Sequence, residues 1–369
     1  MYADDLTWPW WEALDVDDRL FDVHTHLGTH DPSGFSATAP RLRAALSTVD
    51  ARTAVFPLTE PDGYRAANDA VLAEAKSSDG TLVAFCRVAP GDDASGEARR
   101  CVEARAAGIK LHPASDEFEL DDDRLDGVLG LAHDLRLPVV VHAGPEIELF
   151  GDTLLAVLER FSGARFVLAH AGLTDLAWLS GHPVANLFFD TSWWSPTDLV
   201  TLLGTIPPGQ VLFGSDVPYS TPTWGAHATA RCARYAGLGP EQVASVLGGQ
   251  ARRLIDRAEP ADLGPAPMHV PALDPLLERV YVYLAAGVEA TKRGETPGQT
   301  PDLARHSCAV RPDHPYRAVF DSVRELLDRY DKHAPHMSTG NEYAPGWDLI
   351  ATAAIVARTP GPPLPDWLT

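Results

Sequence analysis

Eight short apolar runs, separated by stretches of helical periodicity, constrain the fold of this chain more than any other feature. They start roughly 21 to 32 residues apart, near Phe21, Thr53, Leu82, Gly108, Pro138, Arg165, Asn186 and Val211. Between them, apolar residues recur at helical spacing over 64–77, 96–107, 125–135 and 153–161. Short apolar runs that alternate with helices are typical of parallel strands buried on both faces. The pattern therefore predicts an α/β fold, a (β/α)8 TIM barrel.

The polar residues that end these runs distinguish a barrel from a doubly wound open sheet. His24 and His26 follow the first run, and His142, His170 and Asp216 follow the fifth, sixth and eighth. An open sheet normally gathers its site from fewer strands, at one switch point. A barrel brings the carboxyl ends of all strands to one face. Because side chains two apart in a strand point the same way, His24 and His26 share that face. The sequence predicts a metal site of zinc type.

Composition and charge limit the function classes. The 369 residues, 45% of them hydrophobic, exceed what one ordinary core needs, which indicates an enzyme with one large domain and an extra piece. The net charge of -21 opposes binding to nucleic-acid phosphates. The first residues lack the pattern of a signal peptide, and no apolar run reaches the roughly 18 residues of a membrane span. We therefore expect a cytoplasmic protein. Its cysteines are far apart and predict reduced packing thiols: Cys86, Cys101, Cys232 and Cys308.

The composition changes beyond about Glu259, where a proline-rich linker begins. Helix-compatible apolar spacing follows over 276–292, 318–331 and 347–358. We therefore divide the chain into a barrel over 1–258 and an appended C-terminal helical subdomain over 259–369. That subdomain could cover the barrel, form a dimer interface or contribute a lid, and the sequence does not separate these roles.

The polar strand ends lie in five characteristic segments. These are Asp-Val-His24-Thr-His26-Leu-Gly, Gly-Ile-Lys110-Leu-His112-Pro, Val-Val-Val-His142-Ala-Gly, Leu-Ala-His170-Ala-Gly and Phe-Gly-Ser-Asp216-Val-Pro-Tyr. With them, residues 20 to 256 resemble the amidohydrolase superfamily, specifically its amidohydrolase-related (amidohydrolase 2) branch of metal-dependent hydrolases and nonoxidative decarboxylases. Weaker support comes from the segment Tyr64 to Asn68 and from the closing helix around Gln250. Gln250 stands where the family usually has Asn, outside the site.

The resemblance implies one divalent metal ion held by His24, His26, His142 and Asp216, and these ligand types suit zinc. Bound zinc lowers the pKa of a water molecule to about 7. Asp216 would accept a proton from this water and pass it to a leaving group. His170 would orient the water or polarise a substrate oxygen. Asp216 and His170 are thus the expected catalytic residues.

Lys110 allows three interpretations. Lys110 and His112 are two residues apart, so both should face into the barrel. In binuclear relatives a lysine at this place is carbamylated and bridges two metals, with His142 and His170 taking the second ion. In mononuclear relatives a cation here binds a substrate carboxylate. A buried lysine could also pair with a neighbouring acid. One ion is favoured, and a second ion that uses Lys110 and His170 stays open.

The loops after the strands should build the mouth of the pocket. Besides Lys110 and His112, the candidate substrate-binding residues are Glu60, Trp193, Trp194, Tyr219 and Trp224, with His30 beside them. The pair Trp193 and Trp194 could stack on a planar substrate or anchor its own loop. Glu60 could bind substrate through a hydrogen bond or cap the next helix.

The sequence favours a metal-dependent hydrolase of a small molecule, acting on an amide, lactone or similar bond through metal-activated water. The alternative is a metal-dependent nonoxidative decarboxylase, a carbon-carbon lyase acting on a hydroxyaryl or enol carboxylate. A carboxylate-binding Lys110 with a stacking Trp193 would favour the lyase, and a carbamylated Lys110 with two metals would favour hydrolysis. We expect a small-molecule substrate, no nucleic-acid or membrane partner, and a chain compatible with a homo-oligomer.

Overall fold

The computed structural model describes residues 2–16, 19–91, 93–144, 150–170, 175–182, 184–268, 272–338 and 340–368. Eight parallel strands form one sheet in sequence order. They are β1 (Phe21–Leu27), β2 (Arg52–Pro57), β3 (Leu82–Arg87), β4 (Gly108–Leu111), β5 (Pro138–Val141), β6 (Arg165–Leu168), β7 (Leu187–Asp190) and β8 (Val211–Leu212). The backbone after β8 returns to β1, where His26 N donates to Val217 O at 2.8 Å and Val23 N donates to Phe213 O at 2.9 Å. The predicted TIM barrel is confirmed.

Helices surround this barrel and extend beyond it. In the first part of the chain they are α1 (Asp4–Glu12), α2 (Ala39–Thr48), α3 (Arg65–Lys76), α4 (Ala94–Glu103), α5 (Pro113–Asp116), α6 (Asp126–Leu135), α7 (Gly151–Arg160) and α8 (Leu176–Leu179). They continue with α9 (Pro196–Thr205), α10 (Pro222–Tyr235), α11 (Pro240–Ala244), α12 (Gln250–Ile255), α13 (Pro275–Lys292), α14 (Thr300–Ser307), α15 (Arg317–His333) and α16 (Trp347–Arg358). Single 3-10 turns occupy Asp123–Leu125, Pro208–Gln210, Ala334–His336 and Asp366–Leu368, and a π-helical turn occupies Ser245–Gly249.

The strand register brings the polar residues to one level. Leu111 of β4 pairs with Val141 of β5, and Val141 pairs with Leu168 of β6. The side chains that follow these strands therefore begin at the same end of the barrel. Inside, strand residues such as Phe56 and Phe188 form a buried apolar cluster that Ala251 and Leu254 of α12 join.

The C-terminal helices pack on the barrel. Every residue of α16 is buried, and this helix contacts α9, α10, α13 and α15. Such burial on all sides is typical of a core helix. The sequence pattern predicted α13, α15 and α16 and missed α14. The division of the chain into 1–258 and 259–369 stays a prediction.

The sequence analysis also missed α1, which contacts the C-terminal helices. Trp10 Nε1 donates to Ser322 Oγ of α15 at 2.7 Å, and Arg329 donates to Leu6 O at 2.7 Å. The first residues of the chain thus pack on the last ones. All four cysteines are buried and free, as expected. Among the helices that the structure describes, none is long and apolar enough to cross a membrane.

Candidate metal centre

The carboxyl ends of the strands surround a cavity of about 540 Å3, a volume suited to a small molecule. Most of the predicted site residues line it: His24, His26, Lys110, His112, His142, His170, Trp193, Trp194, Asp216, Tyr219 and Trp224. Glu60 and His30 are not among the described lining residues. Further lining residues come from beyond the barrel, Lys292 from α13 and Trp347 from α16, with Glu342 and Tyr343 between the helices.

Three of the predicted ligands converge on one point. One donor atom each of His24, His26 and Asp216 lies within 4.8 Å of the others, an arrangement that could hold a metal ion. The Nε2 atoms of His24 and His26 lie 3.2 and 3.1 Å from Asp216 Oδ1. Both imidazoles are buried.

The orientation of His24 is set by a carboxylate that the sequence analysis missed. His24 Nδ1 lies 2.8 Å from Asp190 Oδ2, at the end of β7. Asp190 is fully buried and also accepts from the backbone N–H groups of His170 and Ser192, at 2.9 and 3.0 Å. The Nδ1 proton of His24 therefore points at Asp190, and the lone pair of its Nε2 points at Asp216.

Hydrogen bonds also set the tautomers of the next two imidazoles. His170 Nδ1 lies 2.8 Å from Ser192 O, which can only accept, so Nδ1 carries the proton of the neutral ring. His170 Nε2 then accepts from His142 Nδ1 at 3.0 Å. With its proton on Nδ1, His142 carries a lone pair on Nε2, the state that a metal ligand needs. His142 stacks on His112 at a ring-centroid distance of 3.8 Å.

The protonation states of His24 and His26 suit the binding of a metal cation. Burial, and then the charge of Lys110, hold the pKa of His24 and His26 well below the usual range, so their imidazoles are neutral. His26 Nδ1 lies 3.4 Å from the carbonyl of Pro57, which leaves the His26 Nε2 lone pair facing Asp216 Oδ1. Two lone pairs thus face a carboxylate oxygen, an arrangement that a divalent ion between them would stabilise. Burial raises the pKa of Asp216 to about 7.

The backbone at two of these positions is unusual. His170 and Asp216 have φ angles of 58° and 62°, which non-glycine residues adopt at a cost in free energy. Hydrogen bonds hold the segment of Asp216, because Asp22 of β1 accepts from Ser215 N and from His24 N, both at 3.0 Å. A Cβ at Gly214 would lie 3.1 Å from Asp190 Cγ and from His24 Cβ, so glycine leaves room for that pair.

Lys110 is fully buried beside the ligand cluster. Its Nζ lies 3.4 Å from His24 Nε2 and 4.9 Å from the ring centroid of Phe56. Burial lowers the pKa of Lys110 to about 7. Among the described residues, no carboxylate lies within ion-pair distance of this ammonium. The interpretation of Lys110 as the partner of a neighbouring acid therefore finds no such pair, and its roles as a carbamylated bridge or as a substrate-binding cation stay predictions.

The candidate aromatic residues are held by contacts of their own. Trp193 Nε1 donates to Asp198 Oδ2 at 2.9 Å, and Tyr219 OH donates to Asp31 Oδ2 at 2.5 Å. Trp194 and Trp224 are buried. These contacts favour the role of Trp193 as an anchored wall residue, while stacking on a substrate stays a prediction.

Glu60 contacts another residue of the loops. Its carboxylate lies 2.6 Å from Nδ1 of the largely exposed His30, and α3 begins without a side-chain cap. Glu60 therefore does not cap α3, and its role in binding substrate stays a prediction.

Further functional candidates escaped the sequence analysis. Asp190 could have been found, because it ends the seventh apolar run as Asp216 follows the eighth. The buried Arg87 at the end of β3 also lines the cavity and binds Asp116 at 3.1 Å. Lys292 lies on a helix outside the barrel count, where no sequence signal marks it.

Comparison with known proteins identifies a family and a shared fold. The family model described as "Amidohydrolase" matches residues 21–257. Among solved structures, an amidohydrolase II is 19% identical with a TM-score of 0.52 and covers 64% of this chain and 99% of its own. A putative amidohydrolase from Staphylococcus aureus is 13% identical with a TM-score of 0.52, over 64% and 99% of the two chains. A putative 2-pyrone-4,6-dicarboxylic acid hydrolase from Pseudomonas putida is 14% identical with a TM-score of 0.51, over 65% and 98%. Among curated proteins, none matches. At these identities the structures show a shared fold.

Proposed function

Because the chain belongs to the amidohydrolase family, we propose that it is a metal-dependent hydrolase of a small molecule, cleaving an amide, lactone or similar bond. The observation that carries this proposal is the cluster of His24, His26 and Asp216, whose donor atoms lie within 4.8 Å of one another. Hydrogen bonds to Asp190 and Pro57 orient its two imidazoles. An oriented set of neutral imidazoles and a carboxylate is the donor chemistry of a catalytic zinc site.

We propose His142 as a further ligand, since its Nε2 carries the lone pair of the neutral ring. A divalent metal, for which we propose zinc, would supply Lewis-acid chemistry, lowering the pKa of a water molecule and polarising the substrate carbonyl.

Asp216 is proposed as the group that moves the proton. As the water oxygen attacks the carbonyl carbon, Asp216 accepts a water proton and then delivers it to the departing nitrogen or oxygen. The Asp216 carboxylate, whose Oδ1 lies 3.2 and 3.1 Å from the two imidazoles, is close enough to the proposed ion to serve both halves of this transfer. His170, whose Nδ1 lies 4.0 Å from Asp216 Oδ2, is proposed to position the water or the substrate oxygen.

The substrate is proposed to enter through the cavity mouth, between the barrel loops and the C-terminal region. The residues beyond 258 are proposed as a helical region that narrows this mouth. Lys292, Tyr343 and Trp347 in the cavity wall support this role.

Elemental analysis of the purified protein, together with its intact mass, tests the proposal. We expect at least one zinc ion per chain and hydrolysis of members of a panel of lactones and amides. An added mass of a carbamyl group on Lys110, with two metals, would identify the binuclear form. Absence of metal after careful reconstitution would contradict the proposal.

A nonoxidative decarboxylase is the second candidate, and Lys110 is the observation that favours it. This buried ammonium lies 3.4 Å from a proposed ligand and, within the described ranges, has no carboxylate partner, so it is placed to bind a substrate carboxylate. Release of CO2 from hydroxyaryl carboxylates, with no hydrolysis of the lactone and amide panel, would select this function over the first.

A further inference from the structure

Lys292 is a cation in the wall of the proposed active site that the barrel does not supply. It is the last residue of α13 and lines the same cavity as His24, His26 and Asp216. The family match ends at residue 257, so this side chain belongs to the part of the chain beyond the matched barrel. The chain as a whole carries a net charge of -21, so the positive charge of Lys292 in the cavity is opposite in sign to the charge of the whole protein.

Aromatic rings hold this ammonium group in place. Its Nζ lies 5.2 Å from the ring centroid of Trp193 and 5.6 Å from that of Tyr343, within the range of a cation–π contact. Trp193 is anchored by its hydrogen bond to Asp198. The end of α13 is tied to the loop of Tyr343, because Ala344 N donates to Thr291 O at 2.8 Å.

The ammonium nevertheless has no acceptor of its own. Among the described residues, no oxygen lies within hydrogen-bond or ion-pair distance of Lys292 Nζ, and cation–π contacts leave its three donors unused. Burial lowers the pKa of Lys292 to about 8, so the group is mainly protonated at neutral pH. A cation that is held in place and faces a cavity without an acceptor is suited to receive an anion from a ligand.

We propose that Lys292 is a specificity-determining residue that binds a carboxylate of the substrate. This inference rests on the proposed function, because it assumes that the bond to be broken lies at the cluster of His24, His26 and Asp216. The substrate class is then a small molecule with a scissile amide, lactone or similar group at one end and a carboxylate at the other. The single negative charge of a carboxylate matches the single positive charge of the Lys292 ammonium group. The rings of Trp193 and Tyr343 would then contact the hydrocarbon part of the substrate.

The test compares the zinc-reconstituted protein with Lys292→Met, which keeps the length of the side chain and removes its charge. Lys292→Arg restores the charge, and Lys332→Met removes an equal charge from an exposed position of α15. Metal content and melting temperature are measured first. The probes are glutarate and isophthalate, each paired with its uncharged diamide, titrated by calorimetry.

We expect both dicarboxylates to bind more tightly than their diamides. Lys292→Met should weaken dicarboxylate binding about tenfold to a hundredfold, as loss of a charged hydrogen bond does, and leave diamide binding unchanged. Lys292→Arg should recover most of the affinity, and Lys332→Met should match the unaltered protein. If Lys292→Met loses metal or fold, Lys292→Gln takes its place.

Two outcomes would overturn the inference: equal dicarboxylate affinity in the unaltered protein and Lys292→Met, or no preference of the unaltered protein for dicarboxylates over diamides. Failure of the proposed function looks different. In that case no lactone or amide is hydrolysed, with or without bound metal, whatever residue occupies position 292. Once a substrate is known, Lys292→Met should raise KM by the same factor and change kcat little.

Discussion

The two sides of the cavity are built in different ways. On the barrel side, the proposed ligands lie within or shortly after buried strands, and the strand register sets their height: His24 and His26 in β1, His142 directly after β5 and Asp216 after β8. On the C-terminal side, Lys292 ends a long helix whose position depends on packing against α14 and α16. The barrel side carries the proposed metal ligands, whereas the C-terminal side carries a cation that has no hydrogen-bond or ion-pair acceptor among the described residues. We therefore propose that the groups for the reaction and the group for the choice of substrate lie in separate parts of the chain.

The largest expected effect tests the barrel side. His26→Ala should abolish stoichiometric metal binding and lower activity by about a thousandfold or more, because a buried ligand is lost. Elemental analysis and hydrolysis rates measure both effects. His306→Ala, at an exposed position of α14, serves as the control and should behave like the unaltered protein. Full metal occupancy and full activity in His26→Ala would contradict the proposed metal centre on the barrel side.

The next largest effect concerns the C-terminal side and depends on pH. Asp348 of α16 is buried, accepts from Ala3 N, and has a pKa raised by burial to about 7. Because its pKa in the unfolded chain is about 4, the folded protein holds a proton that the unfolded chain loses above pH 4, and stability therefore falls progressively between about pH 4 and pH 7. Between pH 5 and pH 8, the free energy of unfolding should fall about 2 to 3 kcal/mol more in the unaltered protein than in Asp348→Asn.

Urea unfolding at both pH values measures this difference. Asp313→Asn, at an exposed position, should keep the pH dependence of the unaltered protein. Parallel curves for the unaltered protein and Asp348→Asn would mean that burial does not raise the pKa of Asp348.

A smaller effect tests how Asp190 positions a ligand on the barrel side. Asp190→Asn should weaken metal affinity about tenfold to a hundredfold, because the imidazole of His24 loses its carboxylate partner. Competition with a chelator of known affinity measures the change. Asp198→Asn alters a carboxyl group that contacts Trp193 instead of a ligand and should keep the original affinity. Equal affinities in all three proteins would argue against a positioning role for Asp190.

The smallest expected effect lies where the two sides meet. Trp193→Ala should raise KM about threefold to tenfold and leave metal content unchanged, since the ring contributes contact area and a face for Lys292. Steady-state kinetics on the first substrate found provides the measurement. Trp178→Ala removes a more exposed ring and should leave KM unchanged. A decrease in kcat alone would place Trp193 in the reaction instead of in substrate binding.

Much of the barrel could be predicted from the sequence because its signals are local. The eight apolar runs marked the first residue of each strand within about one residue, and alternation along β1 placed His24 and His26 on one face. Glu60 shows a side-chain contact that local sequence patterns did not predict. Its place after β2 suggested the cavity mouth, yet its carboxylate pairs with His30, a contact between two loops that the sequence does not specify.

The sequence by itself determined the barrel, the residues at its strand ends and the family, because strand and helix periodicities and the order of the ligands can be read along the chain. Only the tertiary structure decided which hydrogen bonds orient the imidazoles, that α1 packs on the C-terminal helices, and that Lys292 enters the cavity wall. These are contacts between residues far apart in the chain. They depend on how whole helices pack, and helix packing follows from the shapes of buried surfaces that no local pattern encodes.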